Sequence, residues 1–469
     1  MARTIAIILL TAGPVLSQGA GWYMNGSRDC WNIDTIDTGI LQTDPTIRID
    51  LQGYPHVAWM RTDASTQIRS VEYANFDGFC WRYSTIESYD DFEYCFLALD
   101  GNDPLIVYQT GSHPYTLSLA TPDGGGGWQI EDFLTDTDWG KLYDLETDSY
   151  GNAHVIYYKG NAMAEKDLHH IYQNGSYWEN EIVWWFGDGA LCTAVSLALS
   201  SSGVPHLAQY NIWTGWEGNQ DPYIRLYHTT YTGSSWTGTN LGDSDGDDTD
   251  IALDGSGLPR IVYQSLNDLM IQTYNGSTWE SDQIDPAHEA RYYCALAVDA
   301  AGVNHVAYHD SQNDDLRYAW GSGSSWNTMT LDSLGVVGTQ PDIALDGNGN
   351  PFIVYNEETI GQLRLAWYGD STGTGGQGPE SPGPLTITGV SPNPADRSIS
   401  LTVASASGMP VGLYFFDVAG RLVRECLPES REGWSTLFEE DVSDLPPGVY
   451  SVLAFDGTDR DIARLTILR

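Results

Sequence analysis

The sequence predicts an all-β chain: a seven-bladed β-propeller with N-terminal strand closure, followed by a small Ig-like β-sandwich. Three observations carry that prediction. A strand–turn–strand unit, clearest as DIALDGNGNPFIVY from Asp342 to Tyr355, recurs seven times. A second hairpin built around a repeated Trp follows each copy. The last copy lacks its final strand, and a matching strand stands near the N-terminus.

The other copies of the first unit are TIRIDLQGYPHVAW from Thr46, FLALDGNDPLIVY from Phe96, DLETDSYGNAHVIY from Asp144, SLALSSSGVPHLAQ from Ser196, DIALDGSGLPRIVY from Asp250 and ALAVDAAGVNHVAY from Ala295. Their closing residues, Trp59, Tyr108, Tyr157, Gln209, Tyr263, Tyr308 and Tyr355, lie 45 to 54 residues apart. That is the spacing of propeller blades rather than of helical repeats. Each copy reads as a β-hairpin in which an apolar strand enters a turn of Asp and Gly and a second apolar strand leaves it. The recurrent Asp50, Asp100, Asp148, Asp254, Asp299 and Asp346, with Ser200 in the fourth copy, are expected to hold turns.

The second hairpin is clearest as Leu316 to Trp320, the turn Gly323-Ser324-Ser325-Trp326, and Leu331-Asp332. Its turn recurs before Trp178, Trp236 and Trp279, and more loosely before Trp81 and Trp128. Two hairpins make four strands per unit, and four-stranded sheets repeated radially are propeller blades. In the seventh unit the pattern stops after Leu363 to Trp367. Trp31 to Asp37 matches Trp279 to Asp285 and Trp326 to Asp332, so this N-terminal strand is expected to close the ring and remove an aggregation-prone edge.

The chain ends divide it further. Met1-Ala2-Arg3, the apolar run Thr4 to Leu16 and small residues to Ala20 have the form of a secretory signal peptide over 1–20. The propeller is expected over 21–369. Residues 370–384, DSTGTGGQGPESPGP, read as a linker with nothing to bury. From 385 to 469 short alternating runs such as Ile399 to Val403 and Val449 to Ala454 suit a small sandwich. No later window approaches the ~20 apolar residues of a spanning helix, so no transmembrane segment is expected in the mature chain.

Composition excludes some partners. Sixty-three acidic against 21 basic residues leave a formal charge of −42, which argues against nucleic acid or an anionic membrane as a ligand. The six cysteines show neither C-x-x-C spacing nor a dense framework, and most read as small buried thiols.

Two resemblances follow from motifs. Thr121, Asp123, Gly125 and Trp128 occupy the pattern of an Asp-box, and this hairpin resembles the structural turn of sialidase-like propellers. Pro392-Asn393-Pro394-Ala395, Phe416 to Val423, Asp444 to Tyr450 and the terminal strand Arg464 to Leu468 fall in the order of a type IX (Por) secretion sorting domain, which residues 385–469 resemble. That resemblance implies a partner, the type IX secretion machinery, and a protein secreted or attached to the outer cell surface.

Function has to sit in the residues that do not repeat. Loops between second and third strands, and between the fourth strand and the next blade, gather at one face of a propeller. There the candidates for a ligand site are Arg61, Asp63, Trp139, Trp184, Trp185, Trp213, Trp216, His309 and Asp310. Amphipathic rings beside charged groups suit an extracellular glycan or another surface ligand. Arg48 and Glu146 are charges at an inner-strand position filled elsewhere by Ala98, Ala198, Ala252, Ala297 and Ala344, and are expected to pair locally or line the channel. The arginines Arg69, Arg225, Arg317 and Arg364 recur at one position and read as scaffold. Asp243, Asp245 and Asp247 offer oxygens of the kind calcium takes, although Asp248 stands where an EF-hand needs Gly, and such a run also suits a solvated loop. No other cofactor is implied. No catalytic motif is present, so binding is the leading expectation. A sialidase-like glycosidase or polysaccharide lyase, and a protein-binding adhesin, are the alternatives.

Overall fold

A computed structural model describes residues 29–370, apart from 39–40, 64–65, 67, 78–80, 90–91, 112–113, 138, 161–165, 187–189, 214–222, 245 and 247, together with 386–391, 398–404, 412–416, 422–426, 435–443, 445–455 and 460–467. Every regular element among them is a β-strand. No helix among these residues is long and apolar enough to cross a membrane.

Seven four-stranded antiparallel sheets follow one another along the chain, six of them with strands in simple sequence order. The inner strand of each sheet lies against that of the next, and the seventh lies against the first, so the sheets close into a ring. The inner strands are Leu41–Ile49, Phe92–Asp100, Trp139–Thr147, Ala190–Leu199, Thr249–Leu253, Ala290–Val298 and Val337–Leu345, which number the blades 1 to 7. Blade 7 takes its outer strand from the N-terminus: Asp29–Thr38 pairs antiparallel with Gln362–Asp370, setting Trp31 opposite Tyr368 and Asn32 opposite Trp367. Trp367 seals the closure by donating from Nε1 to Asp34 at 2.8 Å.

The repeated residues build this ring in three ways. Turn aspartates cap the inner hairpin: Asp346 Oδ1 accepts from the backbone N–H of Asn348 and Asn350, both at 2.8 Å. Asp50, Asp148, Asp254 and Asp299 do the same, and Ser200 accepts one such bond. Gly349 completes the turn at φ 83°, a left-handed conformation that glycine adopts without a Cβ penalty. Blade 2 is one residue shorter here and pairs Asp100 directly with Asp103 across a two-residue turn.

The repeated tryptophans tie each blade to the one before it. Trp178 stacks on Phe133 at 4.0 Å, Trp128 meets Tyr73 edge-on at 5.2 Å, and Trp31 of blade 7 meets Tyr318 of blade 6 at 5.0 Å. In several blades an acid on the outer strand or just after it then bonds forward. Asp285 of blade 5 takes the Tyr308 hydroxyl and Arg317 of blade 6, and Asp332 of blade 6 takes Tyr355 and Arg364 of blade 7. Asp37 takes Trp59 and Arg61 of blade 1, and Glu87 takes Tyr108 of blade 2. Arg317 and Arg364 therefore belong to the scaffold.

Cys95, Cys192 and Cys294 are buried free thiols, and Cys426 is partly buried. Beyond the ring, a three-stranded sheet (Thr386–Ser391, Ser398–Ala404, Ser435–Asp441) and a four-stranded sheet (Gly412–Phe416, Leu422–Cys426, Gly448–Phe455, Arg460–Ile467) share one apolar core that includes Leu401, Phe415, Val452 and Leu465.

Candidate functional site at the mouth of the central channel

The inner strands enclose a cavity of about 770 Å³ along the ring axis, walled by all seven blades. Alternation on a strand sends every second side chain into it. One ring of inward positions consists of Thr46, Phe96, Asp144, Ser196, Asp250, Ala295 and Asp342, and the next of Arg48, Ala98, Glu146, Ala198, Ala252, Ala297 and Ala344.

The first ring latches blades together. Asp144 Oδ2 accepts the backbone N–H of Leu197 in the next blade at 2.7 Å, Asp250 that of Leu296 at 2.7 Å, and Asp342 that of Ile47 across the ring seam at 2.8 Å. In the second ring the small Ala98 leaves space between blades 1 and 3, and Arg48 fills it. Its guanidinium reaches Glu146 at 3.0 Å and Asp342 at 3.1 Å. Burial pushes Glu146, Asp144 and Asp342 above the usual carboxylate range, with Arg48 opposing the rise in all three.

Above these rings the inner strands of six blades break register with their neighbours, between Thr43 and Thr46, Phe92 and Tyr94, Leu142 and Asp144, Cys192 and Val195, Ala290 and Cys294, and Thr339 and Asp342. A β-bulge re-aims the side chains it carries. Asp44, Tyr292 and Gln340 take positive φ values of 50°, 78° and 47° there, conformations that cost a non-glycine residue energy and cluster at functional sites.

The bulges place a non-repeating set of groups at the channel mouth: Asp44, Tyr94, Tyr143, Thr193, Tyr292, Tyr293 and Gln340, with Lys141 and Asp248 beside them. Lys141 Nζ lies 4.7 Å from the Tyr143 ring and 5.4 Å from that of Tyr94, within cation–π range. Burial pushes Asp44 up to about 6 against the pull of Lys141, and Asp248 up to about 7 against the backbone N–H of Cys294. Asp44 also accepts from Gln340 Nε2 at 3.1 Å. Chemically the mouth offers aromatic faces, one ammonium, and two carboxyl groups able to change protonation near neutrality.

The loop residues singled out from sequence stand around this mouth in varied settings, and none of the described ones lines the cavity. Trp139 and Trp185, which open and close blade 3, are 55% and 66% exposed. Trp184 packs against Tyr227 at 5.1 Å. Arg61 lies 3.4 Å from Asp37, and Asp63 accepts from the backbone and hydroxyl of Thr66 at 2.8 and 2.9 Å. Asp310 is buried and caps its own turn through Gln312 and Asn313. His309 is buried, its pKa lowered by burial, with Asp314 3.8 Å away. The side chain of Trp213 and the whole of Trp216 lie outside the described residues, as do Asp245 and Asp247. Asp243 pairs with Arg225 at 2.8 Å. Among the described residues no three acidic, His or Cys groups are placed to hold a metal.

Sequence reasoning missed the bulge residues, because a register slip leaves no periodic signal. The latch aspartates were visible, since three copies of the repeat open with Asp: Asp144, Asp250 and Asp342.

No family model and no curated protein matches this chain. Solved structures do. The α-L-arabinanase of Penicillium chrysogenum, complexed with arabinobiose, is similar at 12% identity and a TM-score of 0.44, over 64% of this chain and 96% of that one. A PL25 ulvan lyase is similar at 11% and 0.47, over 71% and 94%. The Aleuria aurantia lectin bound to α-methyl-L-fucoside is similar at 14% and 0.41, over 60% and 96%.

Proposed function

We propose that this protein is an exported carbohydrate-binding propeller whose ligand enters the mouth of the central channel. The observation that carries this reading is the set of inner-strand bulges, which recurs in six blades but carries different residues in each, and gathers Tyr94, Tyr143, Tyr292 and Tyr293 beside Lys141, Asp44 and Gln340. Aromatic faces stack on the apolar side of a sugar ring, and the charged and amide groups fix its hydroxyls. The exposed Trp139 and Trp185 extend the surface outward for a ligand longer than the cavity. Glycan-array screening followed by titration tests the reading: Tyr292→Ala and Trp185→Ala should weaken binding at least tenfold while leaving the melting temperature within a few degrees. Full affinity in both variants would remove the site from this face.

A second reading is hydrolysis at the same place. Asp44 and Asp248 line one cavity and are held near 6 and 7, the range in which a carboxyl can act as general acid at neutral pH. A reducing-end assay on whatever glycan the array selects separates the two: turnover lost in Asp248→Asn supports catalysis, and retention without turnover supports a lectin.

Export rests on the signal-peptide form of residues 1–20 and on the sorting-domain motifs of residues 385–469. Truncation after Gly369 should abolish surface delivery in a type IX-competent host while the propeller still unfolds cooperatively. Delivery of the truncated chain would refute the sorting role.

A further inference from the structure

The charge of the channel limits which sugar it can take. Its walls carry six carboxyl groups, Asp44, Asp144, Glu146, Asp248, Asp250 and Asp342, against two cations, Arg48 and Lys141. Arg48 is committed deep in the channel to Glu146 and Asp342. At the mouth Lys141 is the one cation among the described residues that acts on both Asp44 and Asp248, and it already sits as an ammonium against two tyrosine rings.

Two hydroxyls in the same wall have no hydrogen-bond partner among the described residues. Thr46 is 7% exposed, lines the cavity and has no hydrogen-bond partner for its hydroxyl, and the Thr193 hydroxyl is likewise unpartnered. A buried hydroxyl without a partner is costly, so a polar ligand atom that meets these two, once their enclosed oxygens turn toward the channel, would be rewarded.

From the acid-lined, tyrosine-rimmed cavity and its unpartnered hydroxyls we infer that the ligand is a cationic oligosaccharide, an amino sugar carrying free ammonium groups. The inference rests on the channel mouth being the sugar site. Each ammonium would take a place equivalent to that of Lys141, between tyrosine faces and a carboxylate, while sugar hydroxyls reach Thr46 and Thr193. The same field disfavours uronates, sialic acids and sulfated sugars, whose charge repeats that of the wall. The elevated Asp44 and Asp248 agree with this picture, because a carboxyl rises when burial outweighs the counter-charge near it, and a ligand ammonium supplies what is missing.

Titration calorimetry on the full chain at low salt and about pH 6 compares three probes: a glucosamine pentamer, its N-acetylated counterpart and a pentagalacturonate. The glucosamine oligomer should bind at least tenfold tighter than the N-acetylated one, weaken as salt is added, and leave the galacturonate unbound. Lys141→Gln should tighten glucosamine binding several-fold by removing a competing ammonium, and Asp248→Asn should weaken it about tenfold. Lys141→Gln gives up the cation–π contacts with Tyr94 and Tyr143, and melting curves check that it and Asp248→Asn keep the fold. Equal or tighter binding of the N-acetylated or galacturonate oligomer, lost in Tyr292→Ala, would overturn the ammonium inference and leave the sugar site standing. Failure of all three probes to bind would overturn the ammonium inference and leave the sugar site to be decided by the glycan array.

Discussion

Arg48 shows how one side chain can complete a symmetric scaffold. Five of the seven blades place Ala at its ring position, and the guanidinium spans the gap left by Ala98 to join blades 1, 3 and 7. About a quarter of its side chain is open to the channel, so the pairs are neither fully desolvated nor fully screened. Arg48→Ala leaves Glu146 and Asp342 facing each other without a counter-ion, and should cost ~2 kcal/mol. Urea titration checks it. The double variant Arg48→Ala with Glu146→Ala should recover part of that loss, and a cost as large as the sum of the single ones would show that the two do not act together.

At the scale of the strand, the N-terminal Asp29–Thr38 matters beyond its ten residues, because it supplies the outer edge of blade 7 and the acid that holds Trp59 and Arg61. Deleting Trp22 to Asp37 should lower the melting temperature by more than 10 °C, whereas removing sixteen residues that include the Gly/Pro-rich stretch 370–384 should leave it nearly unchanged. Comparable melts for both would contradict the closure. The repeated tryptophans give a graded case. They are half-buried on outer strands, since each covers the preceding blade and keeps one edge in solvent. Trp279→Ala should therefore cost ~2 kcal/mol, below the ~3–5 kcal/mol of a fully enclosed aromatic ring. The value read from denaturant melts decides between partial and full enclosure.

For the molecule as a whole, paired imidazoles should contribute to the loss of stability in acid. His154 meets His170 at 2.9 Å and His206 meets His228 at 3.0 Å, with Asp148 3.8 Å from His154. Burial, then the neighbouring imidazole, pushes His170 and His228 down to about 3. Below about pH 6.5 the unfolded chain binds protons that the folded pairs refuse, so their contribution is present above 6.5 and drains away as pH falls toward 3. The raised Asp44 and Asp248 act in the opposite sense: their protonation favours the fold in acid, and that contribution is lost as pH rises from about 4 to about 7. The variant His170→Gln with His228→Gln should flatten the acid limb of a plot of melting temperature against pH, and Asp248→Asn the neutral limb. An unchanged acid limb in the histidine variant would assign acid unfolding to other groups.

What could be read from sequence was whatever repeats. The hairpin period, the turn aspartates, the Trp-headed outer strands and the orphan strand at Trp31 each recur or conspicuously fail to recur, and a closed ring of sheets is the one arrangement that satisfies all of them. The strangeness of Arg48 and Glu146 was equally legible, because each breaks a column of alanines. That they meet across a blade was not, since the distance between positions 48 and 146 is decided by ring curvature. The channel mouth was hidden for a related reason. A β-bulge is a local slip between two strands, made where the seven inner strands converge on one axis, and it turns Asp44, Tyr143 and Tyr292 inward without marking them in the pattern. The sequence by itself determined the architecture through the periodic burial of apolar and aromatic residues. Only the tertiary structure decided which polar residues face one another, because their meeting depends on closure of the ring and not on any spacing along the chain.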